Sequence, residues 1–200
     1  MSRHRPGTRA EKAAIRRWER NQREFLVQVV TTVPTAPRTA AFLRRHLASA
    51  HRILRRPALS WLSVALIGDR KMALLHEQFL GIAGPTDVLT FPLEQDRRGR
   101  VSTGEVVICV PEARRQAKRN RTGLERELLL YALHGMLHLC GYDDRTATAF
   151  RTMHATEDRI LTRLGVGPVF HQGPSSAAAA PAGRSPGGRG RKTNRATGAH

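Results

Sequence analysis

The most informative segment of the chain runs from residue 124 to residue 144 and reads LERELLLYALHGMLHLCGYDD. Apolar side chains fall on nearly every side of a helix over residues 124–139, so such a helix would have to be buried. A buried polar group needs a partner, yet this helix carries His134 and His138. Residues four apart lie on one helix face, one turn apart. Both imidazoles could therefore reach a single metal ion.

The residues after this helix add carboxylates. Gly141 can end the helix in a left-handed conformation and reverse the chain. Asp143 and Asp144 would then return toward the histidine face. Two histidines and one carboxylate leave a coordination position for water, which is typical of a catalytic rather than a structural site. That metal-bound water would be the nucleophile of a hydrolysis, and we assign no other catalytic group from the sequence.

A simpler interpretation of the two histidines stays open. They could be core side chains that bond to backbone carbonyls, followed by an ordinary acidic helix cap. Residue 135 is glycine, so the HExxH pattern of zinc peptidases is absent. A peptidase or a small-molecule metal hydrolase is therefore only the third hypothesis. His154 and Glu157, on the next helix, could support the metal ligands, although exposed positions are expected for both.

The patterns on both sides of this segment predict an α+β fold. The expected structure is a single domain with a small mixed four-stranded sheet packed with about five helices. Asp69 is expected to cap its helix, and the third and fourth strands should form a hairpin with a long tip. Strands are predicted at residues 25–30, 59–67, 88–93 and 105–110, and helices at residues 39–54, 69–80, 112–118, 124–139 and 146–164.

Length and composition limit the class of protein. With 200 residues, 40% of them hydrophobic, the chain is long enough for one ordinary domain. Its net charge of +18 favours a nucleic acid or another acidic partner. Two cysteines exclude a disulfide scaffold, and no stretch is apolar enough to span a membrane. The start lacks the apolar core of a signal peptide, so a cytoplasmic location is expected.

The basic charge is concentrated at the two ends. Residues 1–23 carry eight Lys or Arg and two acidic residues, and we interpret them as a basic N-terminal extension. Residues 24–170 should form the folded domain. Residues 171–200 are rich in Gly, Pro, Ala and Ser and are predicted to be a disordered basic tail. This tail either adds phosphate contacts in a salt-sensitive manner or only keeps the chain soluble.

Residues 134–144 resemble the HGxLHLxGYDH signature of the YbeY family, metal-dependent endoribonucleases involved in rRNA maturation. Three further stretches are similar to family motifs in the same order: PTDVLTFP at residues 85–92, GEVVIC at residues 104–109, and a helix with Met153, Glu157 and Ile160-Leu161. The resemblance covers about residues 59–164. It implies the YbeY fold, cleavage of single-stranded RNA, and one zinc ion held by His134, His138 and Asp144. It also implies rRNA and the small ribosomal subunit as partners.

The sequence departs from the family pattern at two positions. Asp144 stands where the family usually has a third histidine. A carboxylate can still bind zinc, but it adds negative charge, and Asp143 could compete with it. Leu80 follows Phe79 where the family pattern has an arginine after the aromatic residue. A replacement cation at the scissile phosphate could come from Arg70, Arg114 or Arg115, unless these are ordinary solvated charges.

Thr86 and Asp87 allow two interpretations. They either line the metal cleft or satisfy local amides in a turn that leads into a strand.

Together with this resemblance, the sequence predicts a single-strand-specific, metal-dependent endoribonuclease of rRNA processing and ribosome biogenesis. The alternative is a non-catalytic, basic rRNA-binding assembly factor whose metal is structural or vestigial. Aromatic residues are only 5% of the chain, which argues against a platform that binds RNA by stacking.

Overall fold

The computed structural model describes residues 25–55 and 58–168. The predicted extension at residues 1–23 and the predicted tail at residues 171–200 lie outside the described residues. In the described part, four strands and five helices confirm the α+β fold: β1 (Leu26–Thr31), α1 (Pro37–Leu54), β2 (Trp61–Ile67), α2 (Asp69–Leu80), β3 (Val88–Gln95), β4 (Val101–Cys109), α3 (Val110–Asn120), α4 (Leu124–Leu139) and α5 (Ala147–Arg163). None of these helices has both the length and the apolar character needed to cross a membrane.

The four strands form one mixed sheet in the order β1-β2-β4-β3. β1 pairs in parallel with β2, and β2 pairs in parallel with β4, whereas β3 runs antiparallel to β4. Helix α1 supplies the crossover that a parallel β1–β2 pair requires. β3 lies at the edge of the sheet, where Pro92 costs no ladder hydrogen bond on the open side.

The sheet separates two apolar layers because successive side chains of a strand point to opposite faces. Val106 and Ile108 of β4 belong to the larger core, together with α1, α4 and α5. Val107 and Cys109 of the same strand pack with Met72 of α2 in a smaller cluster. Eleven of the sixteen residues of α4 are buried. The structure thus confirms the buried helix that the sequence predicted.

Helix α4 lies very close to the sheet at Gly135. A Cβ atom at this position would lie 2.6 Å from Cγ2 of Val106 and 2.8 Å from Oγ1 of Thr90. These distances are shorter than real Cβ contacts, so a larger residue would force the helix away from the sheet. The absence of a side chain at residue 135 therefore sets the depth at which the neighbouring His134 lies.

The β3–β4 connection is shorter than the sequence predicted. β3 extends to Gln95 and β4 begins at Val101, which leaves five residues at the tip. The Asp96 carboxylate accepts hydrogen bonds from the backbone N–H groups of Arg98 and Arg100 at 2.9 and 3.0 Å. The polar, arginine-rich composition therefore belongs to a tight turn and to exposed strand ends rather than to a long loop.

Two helices differ in how their first turns are capped. Thr146 caps α5, because its hydroxyl accepts a hydrogen bond from the N–H of Ala149 at 3.2 Å. The prediction that Asp69 caps α2 is wrong, since the N-cap position is Gly68 and no side chain bonds there. Asp69 is the first helical residue, and its carboxylate instead accepts hydrogen bonds from Arg115 of α3 at 2.7 and 3.1 Å.

Candidate metal centre

Two histidines project from the last turns of α4 into a shielded site. The side chains of His134 and His138 are 4% and 9% exposed. Their Nε2 atoms are 3.1 Å apart. The four-residue spacing therefore places both rings on one side of the helix, as the sequence predicted.

A third potential ligand returns to this site after the helix ends. Gly141 has a φ of +88°, the left-handed conformation that the sequence suggested for the chain reversal. Oδ2 of Asp144 then lies 3.6 Å from Nε2 of His134 and 3.7 Å from Nε2 of His138. One ligand atom from each of the three side chains lies within 4.8 Å of the others. The structure thus brings together the three residues proposed as ligands.

The neighbouring carboxylate of Asp143 has a different environment. It accepts a hydrogen bond from the backbone N–H of Asp144 at 2.9 Å. It also pairs with Arg145 at 2.9 Å, and the hydrogen bond from this arginine lowers the pKa of Asp143. Asp143 therefore shapes the turn, and the geometry favours Asp144 as the third ligand.

The hydrogen bonds on the far side of each ring fix the position of its proton. Nδ1 of His134 lies 2.8 Å from Oε1 of Glu157, and Nδ1 of His138 lies 3.1 Å from the carbonyl oxygen of Tyr142. A carbonyl oxygen and an ionised carboxylate can only accept, so both Nδ1 atoms carry hydrogen. In the neutral rings, the Nε2 lone pairs therefore face each other and the Asp144 carboxylate.

This convergence of electron pairs fits a metal ion. Three acceptors at such short range repel one another unless a cation or an additional proton lies between them. Bonds of about 2.0–2.2 Å in a tetrahedral arrangement would place ligand atoms about 3.4 Å apart. The three separations between ligand atoms are 3.1, 3.6 and 3.7 Å. The residues present thus suit a divalent ion with nitrogen and oxygen ligands.

The pKa shifts describe the same cluster with a proton in place of a metal. Burial by itself lowers the pKa of His134, but the hydrogen bond and the charge of Glu157, with the charge of Asp144, raise it overall. The pKa of His138 is lowered by burial and by the neighbouring His134. Of the two rings, His134 therefore binds a proton more readily than His138 does.

Glu157 of α5 binds the side of the His134 ring that faces away from the other two ligands. Its carboxylate accepts hydrogen bonds from Nδ1 of His134 at 2.8 Å and from Nδ1 of His154 at 2.6 Å. Burial raises the pKa of Glu157, but these two hydrogen bonds outweigh burial and hold the pKa below its ordinary value. Glu157 is therefore an ionised carboxylate whose side chain is only 2% exposed.

The expectation that His154 and Glu157 are exposed is wrong, because both are buried. The sequence does contain a signal for the glutamate. Glu157 follows Met153 by four residues and precedes Ile160 and Leu161 by three and four, which places it on the apolar stripe of α5. A charged residue on such a stripe indicates a buried partner, and the sequence alone does not show that this partner is His134.

Thr86 and Asp87 make the local bonds of a turn. The hydroxyl of Thr86 donates to Oδ1 of Asp87 at 3.0 Å, and the N–H of Val88 donates to the same oxygen at 2.9 Å. Burial, Glu157 and Asp144 have the larger effects on the pKa of His134, and the nearby charge of Asp87 raises this pKa further. The turn therefore places a carboxylate within electrostatic reach of the metal centre.

The three candidate arginines differ in their surroundings. Arg115 pairs with Asp69 and with Glu112, each at 2.7 Å. Arg70 and Arg114 are exposed and form no ion pair with any described residue. Within residues 25–55 and 58–168, no hydrogen bond or ion pair joins any of the three to the metal centre.

Leu80 occupies the position where the sequence lacks the family arginine. It is partly buried and packs against the small apolar cluster around Met72. This position therefore serves packing in this chain.

The fold and this centre agree with what comparisons with known proteins find. The sequence model of the family described as endoribonuclease YbeY matches residues 28–165. The chain belongs to the YbeY family. The resemblance carried by residues 134–144 is thereby confirmed.

The individual relatives are moderately similar to this chain. The endoribonuclease YbeY of Acidothermus cellulolyticus is 38% identical over 115 residues, which are 52% of this chain and 70% of that protein. The endoribonuclease YbeY of Thermobifida fusca is 38% identical over 136 residues, which are 64% of this chain and 86% of that protein. The solution structure of TM1509 from Thermotoga maritima aligns at a TM-score of 0.49 and 24% identity, covering 70% of this chain and 92% of that one.

Proposed function

We propose that His134, His138 and Asp144 bind a divalent metal ion at which this chain cuts RNA. As a member of the YbeY family, the chain is an endoribonuclease, a hydrolase of RNA phosphodiester bonds. One observation carries the assignment of the site: two Nε2 lone pairs and one carboxylate converge while both Nδ1 atoms are bonded elsewhere. Nitrogen and oxygen donors in this number suit zinc, and we propose one zinc ion per chain.

When bound, the metal polarises a phosphoryl oxygen and makes a water molecule acidic enough to attack near neutral pH. The protein side chains hold and orient the parts. Glu157 and the carbonyl of Tyr142 fix the ring planes of the two histidines, so that Nε2 of each points into the site. Arg115 is held by two carboxylates, whereas Arg70 and Arg114 have no carboxylate partner among the described residues and are therefore freer to bind a phosphate.

The finer part of the proposal concerns the substrate. We propose single-stranded rRNA, processed in the cytoplasm during maturation of the small ribosomal subunit. The net charge of +18 supports a polyanionic partner. The ligand side chains are recessed, with exposures of 4 to 14%. A flexible single strand can bring its phosphate into such a recess more easily than a rigid duplex can.

The non-catalytic alternative has weaker support than the enzyme. A structural zinc site is closed by four protein ligands. Among the described residues, only three side chains converge here, which leaves a position for water or substrate. The arrangement of the donors therefore favours catalysis over a purely structural metal.

Metal analysis tests the ligand assignment. We would measure bound metal in protein purified without a histidine tag, for the wild type, Asp144→Ala and the matched control Asp143→Ala. We expect about one metal ion per wild-type chain, loss or weakening in Asp144→Ala, and retention in Asp143→Ala. A wild type that neither carries metal nor binds added zinc would overturn the proposal.

A cleavage assay tests the catalytic role of the centre. The His138→Ala variant should keep its circular dichroism spectrum and lose cleavage of single-stranded RNA. Cleavage that persists in a preparation free of contaminating nucleases would remove the centre from the mechanism.

A further inference from the structure

A second site with a different character lies between α1 and α5. A cavity of about 560 Å³ opens beside the last turns of α1 and the end of α5. Four arginines of the described part of the chain line it: Arg45, Arg52, Arg55 and Arg163. None of the residues assigned to the metal centre contributes to its walls. It is therefore a distinct feature of the surface.

The positions of these arginines follow from the helices that carry them. Arg45 and Arg52 are seven residues apart on α1, so they lie two turns apart on the same face. Arg55 follows the helix in a left-handed conformation with a φ of +51°. Arg163 is the last residue of α5. The docking of the two helices thus gathers charges from distant parts of the chain.

Among the described residues, no carboxylate lines this cavity, so its positive charge is not neutralised by them. None of the four arginines forms an ion pair within the described part of the chain, and Arg52 donates only to the hydroxyl of Ser49, at 2.9 Å. Cations near helix C-termini are favoured by the helix dipole, which explains one arginine at each helix end but not four around one cavity. Their mutual repulsion is a cost that a bound anion would remove.

The chemistry of the walls indicates which anion fits. Guanidinium groups present donors in a fork that matches phosphate oxygens. The partly buried side chains of Ile53 and Leu164 add apolar surface beside the charges. A nucleotide unit of a nucleic acid offers both a phosphate and the flat apolar face of a base. The volume lies within the range of about 300–1,000 Å³ that is usual for ligand sites.

We propose that this cavity binds backbone phosphates of the RNA substrate, as an auxiliary site outside the metal centre. Helix α5 carries parts of both sites, since Glu157 and Arg163 are six residues apart, about 9 Å along the helix axis. The proposal takes RNA as the substrate class from the proposed function and does not depend on the metal chemistry.

Binding of RNA without cleavage tests this site. The probe is a fluorescein-labelled single-stranded RNA, followed by anisotropy in the presence of EDTA so that the strand stays intact. The variant is the full chain with Arg45→Gln, Arg52→Gln and Arg163→Gln. We expect binding weakened by about tenfold or more at 0.1 M salt. The slope of log K against log salt should become shallower by about 2, since each phosphate contact contributes about 0.7.

A matched control separates a site from net charge. The control variant carries Arg97→Gln, Arg98→Gln and Arg119→Gln, three exposed arginines elsewhere that remove the same charge. It should bind RNA within about twofold of the wild type. Equal weakening by the two triple variants would overturn the proposal, because only the total charge would then matter.

Two further measurements make the result unambiguous. Circular dichroism and metal content of the cavity variant should match the wild type, and the single variant Arg45→Gln should show a smaller loss in the same direction. A labelled mononucleotide should bind far more weakly than RNA. Equal affinity for both would indicate a free-nucleotide site and would also overturn the proposal. Absence of metal from the wild type would count against the metal centre alone.

Discussion

Glu157 and Arg115 each bind two partners of opposite charge or hydrogen-bonding character, but only the cluster around Glu157 is shielded from water. In the buried cluster, the Glu157 carboxylate accepts hydrogen bonds from His134 at 2.8 Å and from His154 at 2.6 Å, which joins α5 to α4. The exposed cluster is centred on Arg115, whose guanidinium donates to one carboxylate at the start of α2 and to another on its own helix, both at 2.7 Å.

Although the hydrogen bonds of the two clusters are similarly short, their exposure to water determines how strongly each cluster holds its side chains. The side chain of Glu157 is 2% exposed and that of Arg115 is 43% exposed. Water and salt screen the exposed ion pairs, so their net contribution is small. In the buried cluster, removal of one partner leaves a desolvated polar group without compensation. The buried cluster can therefore hold two histidine rings in fixed orientations, whereas the exposed one mainly fastens two helices.

The largest expected effect comes from Glu157→Gln in the buried cluster. The Glu157 carboxylate accepts hydrogen bonds from the N–H groups of both His134 and His154. An amide has one accepting oxygen and turns its NH₂ toward the other ring, which cannot accept there. The His134 ring therefore loses the ionised carboxylate that fixes its orientation. Metal affinity should fall about 10- to 100-fold, measured by competition with a chromophoric chelator.

The matched control is Glu112→Gln in the exposed cluster, which should leave metal affinity unchanged. Equal metal affinities of Glu157→Gln and Glu112→Gln would show that the buried carboxylate does not orient the metal ligands.

A second prediction concerns the packing that holds the buried cluster against the sheet. Gly135→Ala adds a Cβ atom 2.6 Å from a methyl group of Val106. We expect the free energy of unfolding to fall by about 1–3 kcal/mol, measured by urea denaturation.

The control for this packing is Gly123→Ala, where no described residue beyond its two chain neighbours has a heavy atom within 4 Å of the added Cβ. Only the loss of a glycine N-cap, about 0.5 kcal/mol, is expected there. A Gly135→Ala variant no less stable than this control would show that α4 does not depend on close approach.

The smallest effect is expected in the exposed cluster. Asp69→Asn should lower the free energy of unfolding by at most about 1 kcal/mol at pH 7. The hydrogen bond from Arg115 holds the pKa of Asp69 below its ordinary value of 3.8. Its contribution is therefore present above about pH 3.8 and is lost as the pH falls through the lower value in the folded protein.

Urea denaturation at several pH values checks this prediction. Wild type and Asp69→Asn should converge at low pH, and added salt should reduce their difference at pH 7. The thiol of Cys109 also donates to Asp69 at 3.1 Å, and burial raises the pKa of Cys109 to about 12, so this donor stays protonated throughout. A decrease of several kcal/mol in the free energy of unfolding of Asp69→Asn would show that the exposed cluster contributes as much as a buried one.

The sequence predicted local features of the chain correctly and failed where distant residues or strand lengths are involved. The buried helix over residues 124–139 and the reversal at Gly141 were both predictable, because each depends on a few neighbouring residues. The supposed cap at Asp69 failed because Arg115, on a helix more than forty residues later, competes for the carboxylate. The length of the β3–β4 tip failed because polar composition does not distinguish a loop from exposed strand ends.

From the amino-acid sequence alone it follows that His134 and His138 share a helix face and that a carboxylate follows within one chain reversal. Helical periodicity and the left-handed conformation of glycine are local properties, so a short segment suffices. The contact of Glu157 with His134, 23 residues apart, and the shared cavity of Arg45 and Arg163 are visible only in the folded protein. These contacts depend on how α5 docks against α1 and α4, and that docking is set by the packing of the whole core.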